Sequence, residues 1–140
     1  MGRQDAKTPR GSVDRGAIAR RATHVVDAAL AVHIALGPGL LESTYEACLA
    51  WELRSRGLVV RRQLPLPVVY RGVQMEAAYR LDMVVDGIIV IELKTVTRLL
   101  PVHEAQLLSY LRLGDYRIGF LINFHVPLLK HGIRRMVNGF

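Results

Sequence analysis

At 140 residues and 15.7 kDa, 51% hydrophobic and 22% charged, the chain has the composition of one folded domain with a real core, which excludes a disordered chain. Its one cysteine, Cys48, excludes an intramolecular disulfide and any multi-cysteine metal site, and no apolar run approaches the roughly 20 residues of a membrane helix. The formal charge of +7 is concentrated early: residues 1–21 carry +4 and the rest only +3, so a basic arm on phosphates and a solvated arginine-rich end fit equally well.

Residues 1–11 hold Gly2, Pro9 and Gly11 with almost nothing apolar and are predicted to be a loose, flexible basic end, leaving 12–140 as the folded domain. They contain no apolar signal core, so the expected setting is cytoplasmic, with no membrane association. A helix is predicted from Ser12 or Asp14, either serving as N-cap, to Leu36, with Val25, Ala29 and Val32 on its buried stripe. Gly37-Pro38-Gly39 breaks it. A second helix covers about Leu40 to Arg56 and stops at Gly57. Strand-like runs follow at 58–63, 66–70, 78–85 and 88–96, with turns suggested at Pro65, Arg71-Gly72 and Asp86-Gly87. Pro101 suits the first turn of a third helix ending near Gly114; strands at about 117–124 and 133–137 complete an α/β domain.

The run from Tyr79 to Lys94 is the most informative. Its apolar, β-branched composition reads as a hairpin, yet Asp82, Glu92 and Lys94 are set into it. Lysine is scarce, with Lys7, Lys94 and Lys130 against sixteen arginines, so a compact ammonium here suggests a point charge beside a site. A two-residue Asp86-Gly87 loop would pair Val85 with Ile88 and divide the apolar set between faces. A three-residue loop, Val85-Asp86-Gly87, pairs Val84 with Ile88 and puts all the odd-numbered apolar residues on one face. Asp82, Glu92 and Lys94 then share the other face.

Paired carboxylates on adjoining strands suit a hard cation such as Mg²⁺, which often uses only one or two protein carboxylates. Crowded acids repel, so at least one is expected to have a raised pKa without a cation. The bland alternative is an edge ion pair between Glu92 and Lys94. On the second helix Glu42, Tyr45, Glu46, Leu49 and Leu53 fall on one stripe, which points Glu42 inward near the helix start. On the third, Gln106 and Tyr110 are i, i+4 neighbours, with Ala105, Leu108 and Leu111 expected on the far, apolar side.

Asp82, Glu92-x-Lys94 and Gln106-x3-Tyr110, preceded by a helical glutamate, resemble the PD-(D/E)XK nuclease superfamily in its RecB-like arrangement. Gly39-x-x-Glu42-x-x-Tyr45 resembles, more narrowly, the signature of the small bacterial GxxExxY family, and the likeness extends over about residues 20–138. The proline that often precedes the first aspartate is absent, and Leu81 stands there. The resemblance implies a restriction-endonuclease-like αβββαβ core with a mixed sheet flanked by helices, here with an extra N-terminal helix. It also implies Asp82 and Glu92 as ligands of Mg²⁺ or Mn²⁺, Lys94 beside the attacking water, and Glu42 as a further ligand or base. Gln106 and Tyr110 would place the substrate or tune the site.

Other residues read more plainly. His24 and His33 lie nine apart and share no helix face, and no histidine pair has zinc-like spacing, so all five histidines read as structural or surface. Cys48 and Trp51 read as core or partner-facing. Ser43 and Ser109 lack an evident base and carboxylate, and no glycine-rich loop follows a strand. Arg61, Arg62 and Arg71 fit a phosphate-contacting edge and solvated strand ends equally. The leading expectation is a metal-dependent nuclease on nucleic acid, with DNA preferred. The rival is a nuclease-fold binding or assembly module without useful turnover. With no dedicated recognition domain in the sequence, a protein partner or homodimer is also expected.

Overall fold

The computed structural model describes residues 14–139; the basic end expected over 1–11, and Ser12 as an N-cap, lie outside them. Helix α1 spans Arg15–Leu36 and starts at Asp14, whose carboxylate accepts a hydrogen bond from the Ala17 N–H at 2.8 Å. After the glycine-proline break comes α2 (Glu42–Ser55), then β1 (Val60–Tyr70), β2 (Val73–Val85), β3 (Ile89–Lys94), α3 (Pro101–Gly114), β4 (Ile118–Asn123), a 3-10 turn at Leu129–Gly132 and β5 (Ile133–Val137). The five strands form one mixed sheet in sequence order: β3 and β4 run parallel, and every other neighbouring pair is antiparallel. The run α2-β1-β2-β3-α3-β4 is the expected αβββαβ core, with α1 and β5 added.

Both faces of the sheet are covered. Ile18, Val25 and Val32 of α1 and Tyr45, Leu49 and Leu53 of α2 pack on Met83, Val85, Ile89, Ile91 and Leu93. Leu107, Tyr110 and Leu111 of α3 pack on Val84, Val90 and Leu121 from the opposite side. Strands buried on both faces lose the alternating pattern, which is why β4 is buried at all six positions. Gly119 lets α3 come close: a Cβ there would lie 3.1 Å from Leu111 and 3.2 Å from both Leu107 and the Val90 carbonyl.

Several expectations are corrected. The predicted strands at 58–63 and 66–70 are one strand, β1, with Pro65 and Pro67 inside it rather than at a turn. An edge strand tolerates proline because its outward N–H groups need no ladder partner. Leu66 pairs with Tyr79 but Val68 with Met75, so three residues of β2 bulge against Pro67. In the β2–β3 hairpin the pairs are Val85–Ile89, Val84–Val90 and Met83–Ile91. The loop is therefore Asp86-Gly87-Ile88, two residues out of the expected register but with the same parity. Asp86 (φ +52°) and Gly87 (φ +67°) both adopt left-handed backbone, Ile88 donates to the Val85 carbonyl at 2.9 Å, and Ile88 becomes the extra residue. Asp86 is fixed there because its carboxylate accepts from the Val59 N–H and from Arg21, each at 2.8 Å. The single odd-numbered apolar face is also incomplete, since Leu81 packs with the α3-side cluster.

Candidate active site

The main-chain ladder between β2 and β3 stops at Met83–Ile91, and side chains make the next rung. The Asp82 N–H donates to Glu92 Oε1 at 3.0 Å, and the Leu93 N–H donates to Asp82 Oδ2 at 2.9 Å. Each carboxylate thus reaches across to the opposite strand's backbone, and the two side chains also hydrogen-bond each other. Glu92 is 7% exposed. Its pKa is pushed up to about 8, first by burial and then by the Asp82 charge beside it. Asp82 is also raised, chiefly by burial, against the lowering effect of the Leu93 hydrogen bond. Repulsion alone was the expected cause; burial is the larger one.

Lys94 closes β3 beside this rung, half-buried, and its charge acts on Asp82, Glu92 and Glu42. Among the described residues it forms no direct ion pair, so the simple Glu92–Lys94 edge pair is not what holds it. The strand end is anchored from behind by the Phe124 N–H on the Lys94 carbonyl at 3.0 Å. Asn123, fully buried, accepts from the Val96 and His125 N–H groups and donates to the Val96 carbonyl at 2.8 Å, pinning the loop after Lys94.

Glu42 is the first residue of α2. Its carboxyl is raised by burial and by Asp82, which places it within electrostatic reach of the rung, although the residue as a whole is exposed rather than inward-facing. The preceding loop explains Gly39-x-x-Glu42-x-x-Tyr45 physically. Gly39 takes φ +101°, and the buried Tyr45 hydroxyl donates to the Gly37 carbonyl and accepts from the Leu40 N–H. The Tyr45 ring stacks on Phe124 with centroids 4.5 Å apart. The motif therefore builds the turn that presents Glu42.

The acid buried on α2 is Glu46, one turn further on. It pairs with Arg62 Nε at 2.9 Å and accepts from Gln63 Nε2 at 3.0 Å, while Gln63 also hydrogen-bonds Asp82. Sequence reading assigned no role to Glu46 or Gln63. The usable signal was a charged residue midway along a buried helical stripe.

On α3 the buried face is Leu107, Tyr110 and Leu111, not Ala105, Leu108 and Leu111. Gly119 decides this, because Leu107 and Leu111 seat over its bare backbone. Tyr110 consequently faces the sheet. Its phenol is raised by burial first and by Glu92 second, and Gln106, exposed, hydrogen-bonds it. Gln106 thus reaches toward the carboxylates through Tyr110. A cavity of about 590 Å³ beside Arg21, Arg61 and Asp86 lies at the other end of the hairpin, around its turn, and is not part of this cluster.

A family model of the PD-(D/E)XK nuclease superfamily matches residues 19–136, a span containing all of these side chains. The chain belongs to the PD-(D/E)XK nuclease superfamily. Searches of curated proteins and of solved structures returned no match. Nucleases of this superfamily generally use divalent metal ions, and the superfamily implies a nucleic-acid substrate. Among the described residues no three histidine, cysteine, aspartate or glutamate side chains converge closely enough to enclose an ion. Two adjoining carboxylates, Glu92 buried and Asp82 partly buried, fit a hydrated hard cation, which takes the rest of its shell from water. No helix among the described residues is long and apolar enough to cross a membrane.

Proposed function

We propose that this PD-(D/E)XK protein, of the GxxExxY type, hydrolyses phosphodiester bonds in DNA with Mg²⁺ or Mn²⁺ held by Asp82 and Glu92. The observation that carries the reading is the side-chain rung itself. A rung of one buried and one partly buried acid, both with raised pKa values, disfavours its ionised state in the metal-free protein, and a cation offsets that cost. A divalent ion bound there supplies Lewis acidity toward a phosphoryl oxygen and a lower pKa for bound water. Lys94 positions the attacking water and offsets developing charge, Glu42 adds a ligand or takes the water's proton, and Tyr110 with Gln106 orients the substrate. Cleavage of single-stranded, duplex and branched DNA and of RNA, with Mg²⁺ or Mn²⁺, tests this. Wild type should cut and Lys94→Ala should lose at least about a hundredfold in rate, the lower range for removing a positioned catalytic group. No cleavage of any of these substrates by wild type defeats the proposal.

A second reading, a nuclease-fold nucleic-acid-binding or assembly module without useful turnover, is favoured by one observation: the absence of a three-ligand cluster among the described residues. It expects oligonucleotide binding with no metal-dependent cleavage, unchanged by Lys94→Ala beyond the loss of one charge.

A further inference from the structure

Tyr79 is a large aromatic residue left 45% exposed at the base of the long β1–β2 hairpin, three residues before Asp82 on the same strand. Three residues of strand span about 10 Å, or about three nucleotides of a helical strand at 3.4 Å each. The Tyr79 ring meets Tyr110 at 5.6 Å between centroids, tilted by 54°. Tyr110 is buried and held by Gln106, so the pair forms a ledge with a fixed inner ring and an open outer ring. The ledge lies beside the candidate active site: Tyr110 packs in one cluster with Leu81, next to Asp82 in the chain, and its phenol is raised in part by Glu92 and Asp82. Around it acids outnumber cations: Glu42, Glu46, Asp82 and Glu92 stand against Lys94, Arg80 on the Gln63 carbonyl and an Arg62 already paired with Glu46. A substrate strand held at an acidic centre needs an anchor that does not depend on cations. Base stacking on an aromatic face is such an anchor, and it is indifferent to sequence.

We propose that Tyr79, backed by Tyr110, stacks on an unpaired nucleobase within about three nucleotides of the phosphate to be cut, so that the substrate is a single-stranded, frayed or branched nucleic acid. A base inside a duplex has both faces covered and offers nothing to an exposed ring. This inference rests on the nuclease reading of the site, but its test runs without turnover. The full-length protein in a Lys94→Ala background, with Mg²⁺ present, is titrated into fluorescein-labelled oligonucleotides followed by anisotropy. The probes are a single strand, the same strand with abasic positions, and the corresponding duplex. The intact single strand should bind best. Tyr79→Phe should stay within about twofold, while Tyr79→Leu, which keeps an apolar cover on Tyr110, should weaken it about tenfold or more. The leucine variant should no longer distinguish intact from abasic strands, and its thermal midpoint should match that of the background protein. Trp51 is the only tryptophan. Tyr79→Trp made with Trp51→Phe therefore carries a sole indole whose emission should be quenched by the single strand and not by the abasic one. Equal binding of intact and abasic strands, tight binding by Tyr79→Leu, or no oligonucleotide binding at all overturns the proposal. Failure of metal-dependent cleavage by the wild-type protein instead defeats the nuclease reading, and the binding result distinguishes the two.

Discussion

Glu92 and Tyr45 show how much of the site depends on single side chains. Glu92 ionises near pH 8 in the fold but near 4.5 when unfolded, so between those values the folded state holds a proton that the unfolded state has released. Stability from this group is fully present below about 4.5 and is lost as pH rises through about 8; Asp82, also raised, acts in the same direction. The metal-free thermal midpoint should therefore fall across that window. Glu92→Gln keeps an oxygen for the Asp82 N–H while removing the charge, so it should flatten the slope and raise the midpoint at pH 8 by roughly 2–8 °C per kcal/mol recovered. Differential scanning calorimetry with chelator at several pH values checks this, and an unchanged slope would contradict it. Tyr45→Phe retains the stack on Phe124 but strips the hydroxyl from the Gly37 carbonyl and the Leu40 N–H. It should cost about 1–3 kcal/mol and slow any cleavage by loosening Glu42. Denaturant melts and single-turnover rates of the same samples separate the two effects.

At the level of elements, α3 is positioned by what it packs on. Gly119→Val would force side-chain atoms into Leu107, Leu111 and the Val90 carbonyl, costing about 1–3 kcal/mol, and would lift Tyr110 from the carboxylates. Denaturant unfolding and oligonucleotide binding should both weaken; a loss of stability alone would mean that Tyr110 does not act at the site. The face α3 presents was not legible in its own sequence, since Ala105, Leu108 and Leu111 make as good a stripe as Leu107, Tyr110 and Leu111. The choice is made by a glycine on another element. The hairpin was more legible. A two-residue side-chain period allows only two parities, and the apolar pattern selects the observed one, but periodicity cannot distinguish registers two residues apart. Asp86 settles that through its bonds to Val59 and Arg21, both distant in sequence. Proline misled for a similar reason: Pro65 looks like a turn until β1 is known to be an edge. Asp82, Glu92, Lys94 and Glu42 stand out as candidates because charge in a β-branched run, or at the head of a helical stripe that turns apolar, is locally anomalous. Gln63 could not, because its left-handed backbone and its bonds to Glu46 and Asp82 exist only after β1 and α2 meet.

Over the whole molecule, strands end and helices begin so that acids from α2, β2 and β3 are held together by packing on both sides of the sheet. The unfolded chain has no such arrangement, so an ion that binds the cluster stabilises the fold by mass action, by about 2.7 kcal/mol at a hundredfold excess over its Kd. Mg²⁺ or Mn²⁺ should therefore raise the wild-type thermal midpoint. The proton on Glu92 competes with the ion, and raising the pH toward 8 weakens that competition. The metal-induced rise should accordingly be larger at pH 8 than at pH 6, even though the metal-free protein is less stable at pH 8. A surface site of ordinary carboxylates, fully ionised at both pH values, would show no such growth. Asp82→Asn and Glu92→Gln should each abolish most of the rise while slightly stabilising the metal-free protein, because each removes a carboxylate that the fold ionises at a cost, an effect that for Glu92 is felt toward pH 8. Scanning calorimetry of wild type and both variants, with and without the metal at the two pH values, decides it. If the rise persists in both variants, or does not grow with pH, the cation binds elsewhere and the rung of Asp82 and Glu92 is not its site.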